Sequence, residues 1–153
     1  MGQLKEGTTA PLFEGIDQNG NLIKLGDFSG KKLVLYFYPR DNTPGCTAEA
    51  CNLRDNYEEF LHKGFAVVGV SMDSEKSHRN FAEKYSLPFP LIADTTGKIS
   101  KDYGVYGEKK MYGKSYFGII RTTFIIDEHG VIEKIISKVN TKAHSEQIFS
   151  IYK

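Results

Sequence analysis

Residues 32–46 read Lys-Leu-Val-Leu-Tyr-Phe-Tyr-Pro-Arg-Asp-Asn-Thr-Pro-Gly-Cys and carry the chain from an apolar run into a turn. The near-continuous β-branched and aromatic run from Lys32 to Tyr38 predicts a strand that is buried on both faces. Pro39 ends this run, and the segment from Arg40 to Gly45 is dense in turn residues. From Cys46 to His62 apolar residues recur at helical spacing, and Gly64 fits the end of that helix. A buried strand, a tight turn and a helix in this order are typical of a βαβ unit.

The rest of the chain continues this alternation and adds two hairpins, one around Asn19-Gly20 and one around residues 127–130. The other predicted elements are strands at 13–17, 22–25, 65–72, 122–126 and 131–136, an extended segment at 87–92, helices at 75–85, 98–103 and 143–151, and a surface loop at 104–118. This order predicts an α/β fold with a central mixed sheet, helices on both faces and an N-terminal β-hairpin. We expect a single domain spanning residues 1–153.

Composition and charge exclude several classes of protein. A chain of 153 residues suits one compact domain. Its 20 Lys+Arg and 19 Asp+Glu give a formal charge of +1, so we expect no overall attraction to nucleic acid or anionic lipid. No apolar run approaches the ~20 residues of a membrane span, and Met1–Glu6 lacks the apolar region of a signal peptide. The sequence therefore predicts a soluble, cytoplasmic protein that binds neither nucleic acid nor membrane.

The chain has 2 cysteines, and both lie in one short stretch. Two are too few for a disulfide-stapled scaffold or a four-cysteine zinc site. Histidines 62, 78, 129 and 144 are scattered without metal-ligand spacing, and we expect each of them to be solvated or to cap a helix. The sequence therefore predicts no metal site.

Cys46 stands where a buried strand has ended, a tight turn has passed and a helix begins. The first turn of a helix presents unpaired N–H groups and about half a positive charge, which favour a thiolate over a thiol. Pro44 and Gly45 let the backbone turn sharply and approach a ligand closely. Position alone favours a reactive cysteine and leaves an inert buried thiol as the alternative.

The spacing between Cys46 and Cys51 separates the two thiols on a helix. Five residues of ideal helix give about 7.5 Å of rise and about 140° of rotation. The two Cα atoms are then roughly 8–9 Å apart, beyond the ~7 Å limit for a disulfide. A bond between them requires the start of the helix to unwind. The alternative is that Cys51 is an ordinary small apolar residue.

The pattern Pro39-x-x-x-Thr43-x-x-Cys46 resembles the signature of the peroxiredoxin family. The stretch from Phe37 to Thr47, with Cys51 following, is similar to the bacterioferritin comigratory protein (peroxiredoxin Q) branch of that family. The resemblance covers nearly the whole chain, from Gly7-Thr8-Thr9-Ala10-Pro11 to Arg121-Thr122-Thr123-Phe124-Ile125-Ile126-Asp127. It implies a thioredoxin-like fold and thiol-dependent reduction of hydroperoxides, without metal, flavin or haem.

The resemblance also implies roles for individual residues. Cys46 is the nucleophile. Thr43 lies beside it, where its hydroxyl can bond thiolate and peroxide. Arg121 lies across the pocket, where a permanently charged guanidinium can stabilise the thiolate and polarise the peroxide.

Three further residues complete the implied site. The backbone N–H groups of Gly45 and Cys46 would hold the peroxide oxygens. Pro39 would shape the pocket and exclude water. Glu49 would orient Arg121 through a carboxylate–guanidinium pair.

In the implied cycle, Cys46 attacks the peroxide and becomes a sulfenic acid. Cys51 then attacks that sulfur and gives an intramolecular disulfide and water. An external dithiol, thioredoxin or a similar protein, reduces the bridge. The branch also implies a monomer.

Two other functions remain open at this point. One is a general disulfide reductase on the same fold, although the Cys-x4-Cys spacing argues against it. The other is a redox sensor or holdase-like binding module, in which Cys46 and Cys51 would oxidise without appreciable turnover.

Overall fold

The computed structural model describes residues 4–152. The strands are β1 (Glu14–Ile16), β2 (Leu22–Lys24), β3 (Lys32–Phe37), β4 (Phe65–Ser71), β5 (Leu91–Ala93), β6 (Tyr106–Met111), β7 (Lys114–Ile119), β8 (Thr122–Ile126) and β9 (Ile132–Ile136). The helices are α1 (Pro44–Asp55), α2 (Tyr57–His62), α3 (Glu75–Tyr85), α4 (Lys98–Asp102) and α5 (His144–Ile151).

The central sheet has five strands in the order β5-β4-β3-β8-β9. β3, β4 and β5 run parallel, whereas β8 is antiparallel to both β3 and β9. β1 and β2 form a separate antiparallel hairpin. These observations confirm the predicted α/β architecture, with a mixed sheet and an N-terminal hairpin.

Apolar side chains pack on both faces of the sheet, and β3 shows why. Leu33, Leu35 and Phe37 point into the core beneath the N-terminal hairpin and α4. The alternate residues Val34 and Tyr36 point into the core formed with α1, α2, α3 and α5. Because successive side chains of a strand point to opposite faces, a strand covered on both sides has an almost continuous apolar sequence.

The prediction of one continuous helix from Cys46 to His62 was wrong. The structure has two helices, α1 and α2, separated at Asn56. The side-chain amide of Asn56 donates to the carbonyl oxygen of Asn52 (2.9 Å), so a side chain replaces the backbone donor that a continuing helix would supply. The apolar spacing continues across the break, which is why periodicity alone did not reveal it.

The surface loop predicted at 104–118 was also wrong. This segment forms the antiparallel hairpin β6–β7, which lies outside the central sheet. Its turn is made by Tyr112 and Gly113, which have φ values of 54° and 77°. Two successive residues with positive φ are typical of the tight turns that join hairpin strands.

Among the described residues, no helix combines the length and apolar character that a membrane span requires. The signal-peptide prediction for Met1–Glu6 rests partly on residues 1–3. Residues 1–3 and residue 153 lie outside the range that the structure describes.

Candidate active site

Cys46 occupies the first turn of α1 and is 1% exposed. Pro44 begins the helix, a position where its missing N–H costs nothing. Thr43 precedes it in extended conformation and makes no side-chain cap bond, so the first-turn N–H groups receive no acceptor from that side chain. These N–H groups, which carry the partial positive charge of the helix end, therefore lie in the same turn as Cys46.

Arg121 contacts Cys46 directly. It immediately precedes β8, whose first residue pairs with Phe37 at the end of β3, so it lies beside the loop that leads into α1. Its Nη2 donates to Cys46 Sγ at 3.3 Å, and its Nη1 donates to Glu49 Oε1 at 2.6 Å. One guanidinium thus bridges the thiol and a carboxyl group one helical turn further along α1.

Gly45 leaves room for this contact. A Cβ atom at this position would lie 3.1 Å from Arg121 Nη2, closer than ordinary van der Waals contact. A side chain here would therefore press on the guanidinium group that contacts Cys46.

Thr43 lies three residues before Cys46, but its hydroxyl has a different partner from the one expected. It donates to the carbonyl oxygen of Arg40 at 3.0 Å, so its hydrogen is not directed at the sulfur. The oxygen keeps lone pairs with which it can accept a hydrogen bond. Pro39 is half-buried two residues after the end of β3, in the same loop.

Glu49 is fully buried, and its two carboxyl oxygens have different surroundings. Oε1 accepts from Arg121, whereas Oε2 has no hydrogen-bond partner among the described residues. Burial raises the pKa of Glu49 to about 7, although the guanidinium of Arg121 opposes the shift. This carboxyl group therefore changes its charge near neutral pH.

His144 lies at the start of α5, with Nε2 3.7 Å from Glu49 Oε2. Burial lowers the pKa of His144 to about 4, so the ring is neutral near pH 7 and the contact is not an ion pair. Its two ring nitrogens lie 2.8 Å from the Thr123 hydroxyl and 2.9 Å from Gln147 Oε1.

Cys51 lies on α1 with Cys46, and both are free thiols. Cys51 is half-buried, whereas Cys46 is buried. Because α1 is continuous between the two cysteines, their Cα atoms are as far apart as the helical spacing predicts. The sulfurs therefore cannot bond in this conformation.

The expectation for the histidines was correct for His62 and His129, which are exposed, and wrong for His78 and His144, which are 0% exposed. In both buried rings each nitrogen has a hydrogen-bond partner, which offsets the free-energy cost of burying a polar group. His78 contacts Asp41 Oδ2 at 2.7 Å and the carbonyl oxygen of Ile92 at 2.9 Å.

Asp41 in turn accepts from the hydroxyls of Tyr38 (2.6 Å) and Ser77 (2.8 Å), and thereby fixes the loop before α1. In the sequence, the position of His78 on the apolar stripe of α3 with Phe81 and Ala82 was the one available signal of its burial.

Lys109 is a second cation near the site, and it lies in the segment that the sequence predicted to be a surface loop. It is partly buried and donates to the carbonyl oxygen of Ile119 at 2.9 Å. Burial and the charge of Arg121 lower the pKa of Lys109, and Cys46 opposes that shift. Nothing in the spacing of the lysines marked this one, because the β6–β7 hairpin was itself not predicted.

Residues 7–135 match the AhpC/TSA family. Peroxiredoxin Bcp of Bacillus subtilis is 46% identical over 138 residues, which cover 90% of this chain and 88% of that protein. A cysteine variant of Xylella fastidiosa PrxQ has a TM-score of 0.92 at 31% identity and covers 99% of this chain and 97% of its own. The bacterioferritin comigratory protein of Xanthomonas campestris, studied for its alkyl peroxide reduction activity, has a TM-score of 0.86 at 33% identity, with 94% and 96% coverage.

These matches confirm the thioredoxin-like fold that the resemblance implied, and they extend over the segment that holds Cys46, Glu49 and Arg121. The chain belongs to the AhpC/TSA family, as a peroxiredoxin of the Bcp/peroxiredoxin Q type.

Proposed function

We propose that the protein reduces hydrogen peroxide and organic hydroperoxides with Cys46 as the nucleophile. The observation that carries this proposal is the 3.3 Å contact between Arg121 Nη2 and Cys46 Sγ at the start of α1. A guanidinium and a helix N-terminus act together on one sulfur, which is the environment that a reactive thiolate needs.

In the first step the Cys46 thiolate attacks one oxygen of the peroxide bond. The S–O bond forms, the O–O bond breaks, and the other oxygen leaves as hydroxide or alkoxide and takes up a proton. Arg121 and the backbone N–H groups of Gly45 and Cys46 stabilise the charge on the departing oxygen. The Thr43 oxygen, whose own hydrogen is held by Arg40, accepts a hydrogen bond from the peroxide O–H.

In the second step the Cys51 thiol attacks the sulfenic sulfur of Cys46. The S–S bond forms, the S–O bond breaks, and the hydroxyl leaves as water with the proton of Cys51. Because α1 holds the sulfurs apart, its first turns must unwind before this attack. The bond is made within one chain, so a monomer composed of one domain suffices.

Thioredoxin or a similar dithiol then reduces the bridge by thiol–disulfide exchange. A disulfide that forms and is reduced in every cycle fits a reducing compartment such as the cytoplasm. No metal or organic cofactor takes part in these steps.

A coupled assay tests the proposed function. With thioredoxin, thioredoxin reductase and NADPH, peroxide should drive NADPH oxidation. A chain that consumes no NADPH with any of several peroxides is not a peroxidase. Reduction of insulin disulfides in the absence of peroxide would instead indicate a general disulfide reductase.

The buried Glu49 predicts a specific pH dependence of stability. Its pKa is about 7 when folded, against 4.5 for an ordinary glutamate, so the folded form retains the proton more tightly. Glu49 therefore stabilises the fold fully below about pH 4.5, and this contribution is lost as the pH rises to about 7. Its size is up to about 3 kcal/mol.

His144 has the opposite effect on stability. Its pKa falls from 6.5 to about 4 on folding, so its contribution is present above pH 6.5 and is lost as the pH falls to about 4. In the wild type, the contributions of Glu49 and His144 to the pH dependence of stability therefore offset each other. The other charged or titratable groups of this site are Arg121 and Cys46. Glu49→Gln removes the contribution of Glu49 and leaves stability rising with pH.

Urea unfolding of the wild type and of Glu49→Gln over this pH range measures the effect, with the exposed Glu58→Gln as a matched control. The free energy of unfolding of the wild type minus that of Glu49→Gln should fall as the pH rises. A constant difference would show that Glu49 does not titrate in this way.

A further inference from the structure

We propose that Asn52 is a positioning residue that opposes the unwinding of α1 and so sets the rate at which Cys51 resolves the sulfenic acid. The inference rests on the proposed function, because it concerns the second step of that cycle. It is carried by the hydrogen bonds through which Asn52, the neighbour of Cys51, joins α1 to the start of α5. We call this group of contacts the α1–α5 clamp, made of Asn52, Lys142 and Ser145.

The clamp uses both ends of the Asn52 side chain. Oδ1 accepts from the backbone N–H of Ser145 at 2.7 Å, and Nδ2 donates to the carbonyl oxygen of Lys142 at 3.2 Å. The Ser145 hydroxyl donates to the backbone carbonyl oxygen of Asn52 at 3.1 Å. Ser145 is 0% exposed and its two bonds to Asn52 are partly buried, so leaving their polar groups unpaired is costly. The bond to the Lys142 carbonyl oxygen lies at the surface.

The start of α5 depends on the clamp for an acceptor that its own N-cap residue does not supply. The residue before α5, Ala143, has no side-chain oxygen with which to cap it. Asn52 therefore supplies from α1 the acceptor that a Ser, Thr, Asp or Asn would normally supply at the N-cap. In return, the Ser145 hydroxyl is a second donor to the Asn52 carbonyl oxygen, beside the side-chain amide of Asn56, because α1 ends at Asp55.

The clamp acts on the segment that has to move. Cys46, Glu49 and Asn52 are spaced three residues apart and lie along one side of α1. Arg121 bridges the first two, and the clamp holds the third. Cys51 is next to Asn52 but is rotated away from that side, so it can reach Cys46 only if the backbone up to residue 51 unwinds.

Loss of the clamp therefore favours the unwound form without removing any contact of the Cys46 sulfur. Asn52→Ala should form the disulfide from the sulfenic acid about tenfold faster than the wild type, as expected for the loss of a partly buried hydrogen bond and an exposed one. The rate of sulfenic acid formation should stay close to that of the wild type. Faster resolution should also lower the fraction of Cys46 oxidised to sulfinic acid at high peroxide.

The experiment mixes reduced protein with one equivalent of hydrogen peroxide, quenches it with an alkylating agent at successive times, and separates thiol, sulfenic acid and disulfide by mass. Asn56→Ala is the matched control, because it removes another asparagine side chain that donates to the Asn52 carbonyl oxygen, from the end of α1 and not from α5. Its resolution rate should stay near that of the wild type. Asn52→Asp keeps an acceptor for the Ser145 N–H and should restore most of the wild-type behaviour.

Ser145→Ala is a second variant with a smaller expected effect. It tests the role of the clamp if Asn52→Ala folds poorly or forms sulfenic acid slowly. It removes one bond of the clamp and should speed resolution by a smaller factor. Amide exchange at residues 45–51 of the reduced protein should rise in the same order as the resolution rates.

Resolution rates of Asn52→Ala and Ser145→Ala equal to those of Asn56→Ala would overturn the inference while leaving the peroxidase cycle intact. A wild type that forms sulfenic acid but no disulfide would overturn the second step of the proposed function, and the inference with it.

Discussion

Replacing Cys46 by serine should abolish peroxide turnover, with a loss of at least about a thousandfold in the coupled assay. A serine hydroxyl is not ionised near neutral pH and is a far weaker nucleophile than a thiolate. Neither Arg121, whose Nη2 lies 3.3 Å from the sulfur, nor the helix N-terminus can activate it sufficiently. The measurement is peroxide-dependent NADPH oxidation with thioredoxin and thioredoxin reductase.

Cys51→Ser is the matched control, since it removes the other thiol and leaves the site around Cys46 in place. It should still consume one equivalent of peroxide in a single turnover and then stop with Cys46 as a sulfenic acid. If Cys46→Ser retained turnover and Cys51→Ser failed to react at all, the roles of the two cysteines would be the reverse of those we propose.

Replacing Arg121 by glutamine should lower the rate constant for the reaction of Cys46 with peroxide by about 10²–10³-fold. The neutral amide cannot stabilise the thiolate or the departing oxygen as a guanidinium does. It also leaves the buried Glu49 without its cationic partner at 2.6 Å. Single-turnover oxidation of the reduced protein, followed by mass, isolates this step from resolution and reduction.

Arg79→Gln on α3 is the control, because Arg79 is exposed and pairs with Glu75 on the same helix. It should react at the wild-type rate. Arg121→Lys keeps a charge but loses the two-pronged contact with Cys46 and Glu49, so it should recover only part of the loss. A rate for Arg121→Gln within a few fold of the wild type would contradict a role in the first step.

The sequence predicted the central sheet because its signal is local. The apolar runs of β3 and β4 are buried on both faces, and their short length, their β-branched and aromatic residues and the Pro or Gly beside each run distinguish them from helices. The β6–β7 hairpin was missed because its strands have no alternating apolar pattern. The break at Asn56 was missed because it depends on a side-chain hydrogen bond, which periodicity does not report.

The residues of the candidate site could be predicted from the sequence only where they match the pattern of the peroxiredoxin family. Cys46 and Arg121 were identified in this way, and the structure brings them into contact. The contacts of Glu49 with His144 and of Asn52 with Ser145 join residues far apart in the chain. No local pattern contains such a pair, so they become visible only when α1 and α5 are packed together.

Cys46 and Cys51 should form a disulfide within one chain, although α1 keeps their sulfurs apart in the reduced protein. The decisive measurement is the intact mass of the protein after reaction with one equivalent of hydrogen peroxide. The wild type should lose two hydrogens and gain no oxygen, whereas Cys51→Ser should gain one oxygen. A wild type that retains an added oxygen, or that appears as a disulfide-linked dimer, would rule out the intramolecular disulfide.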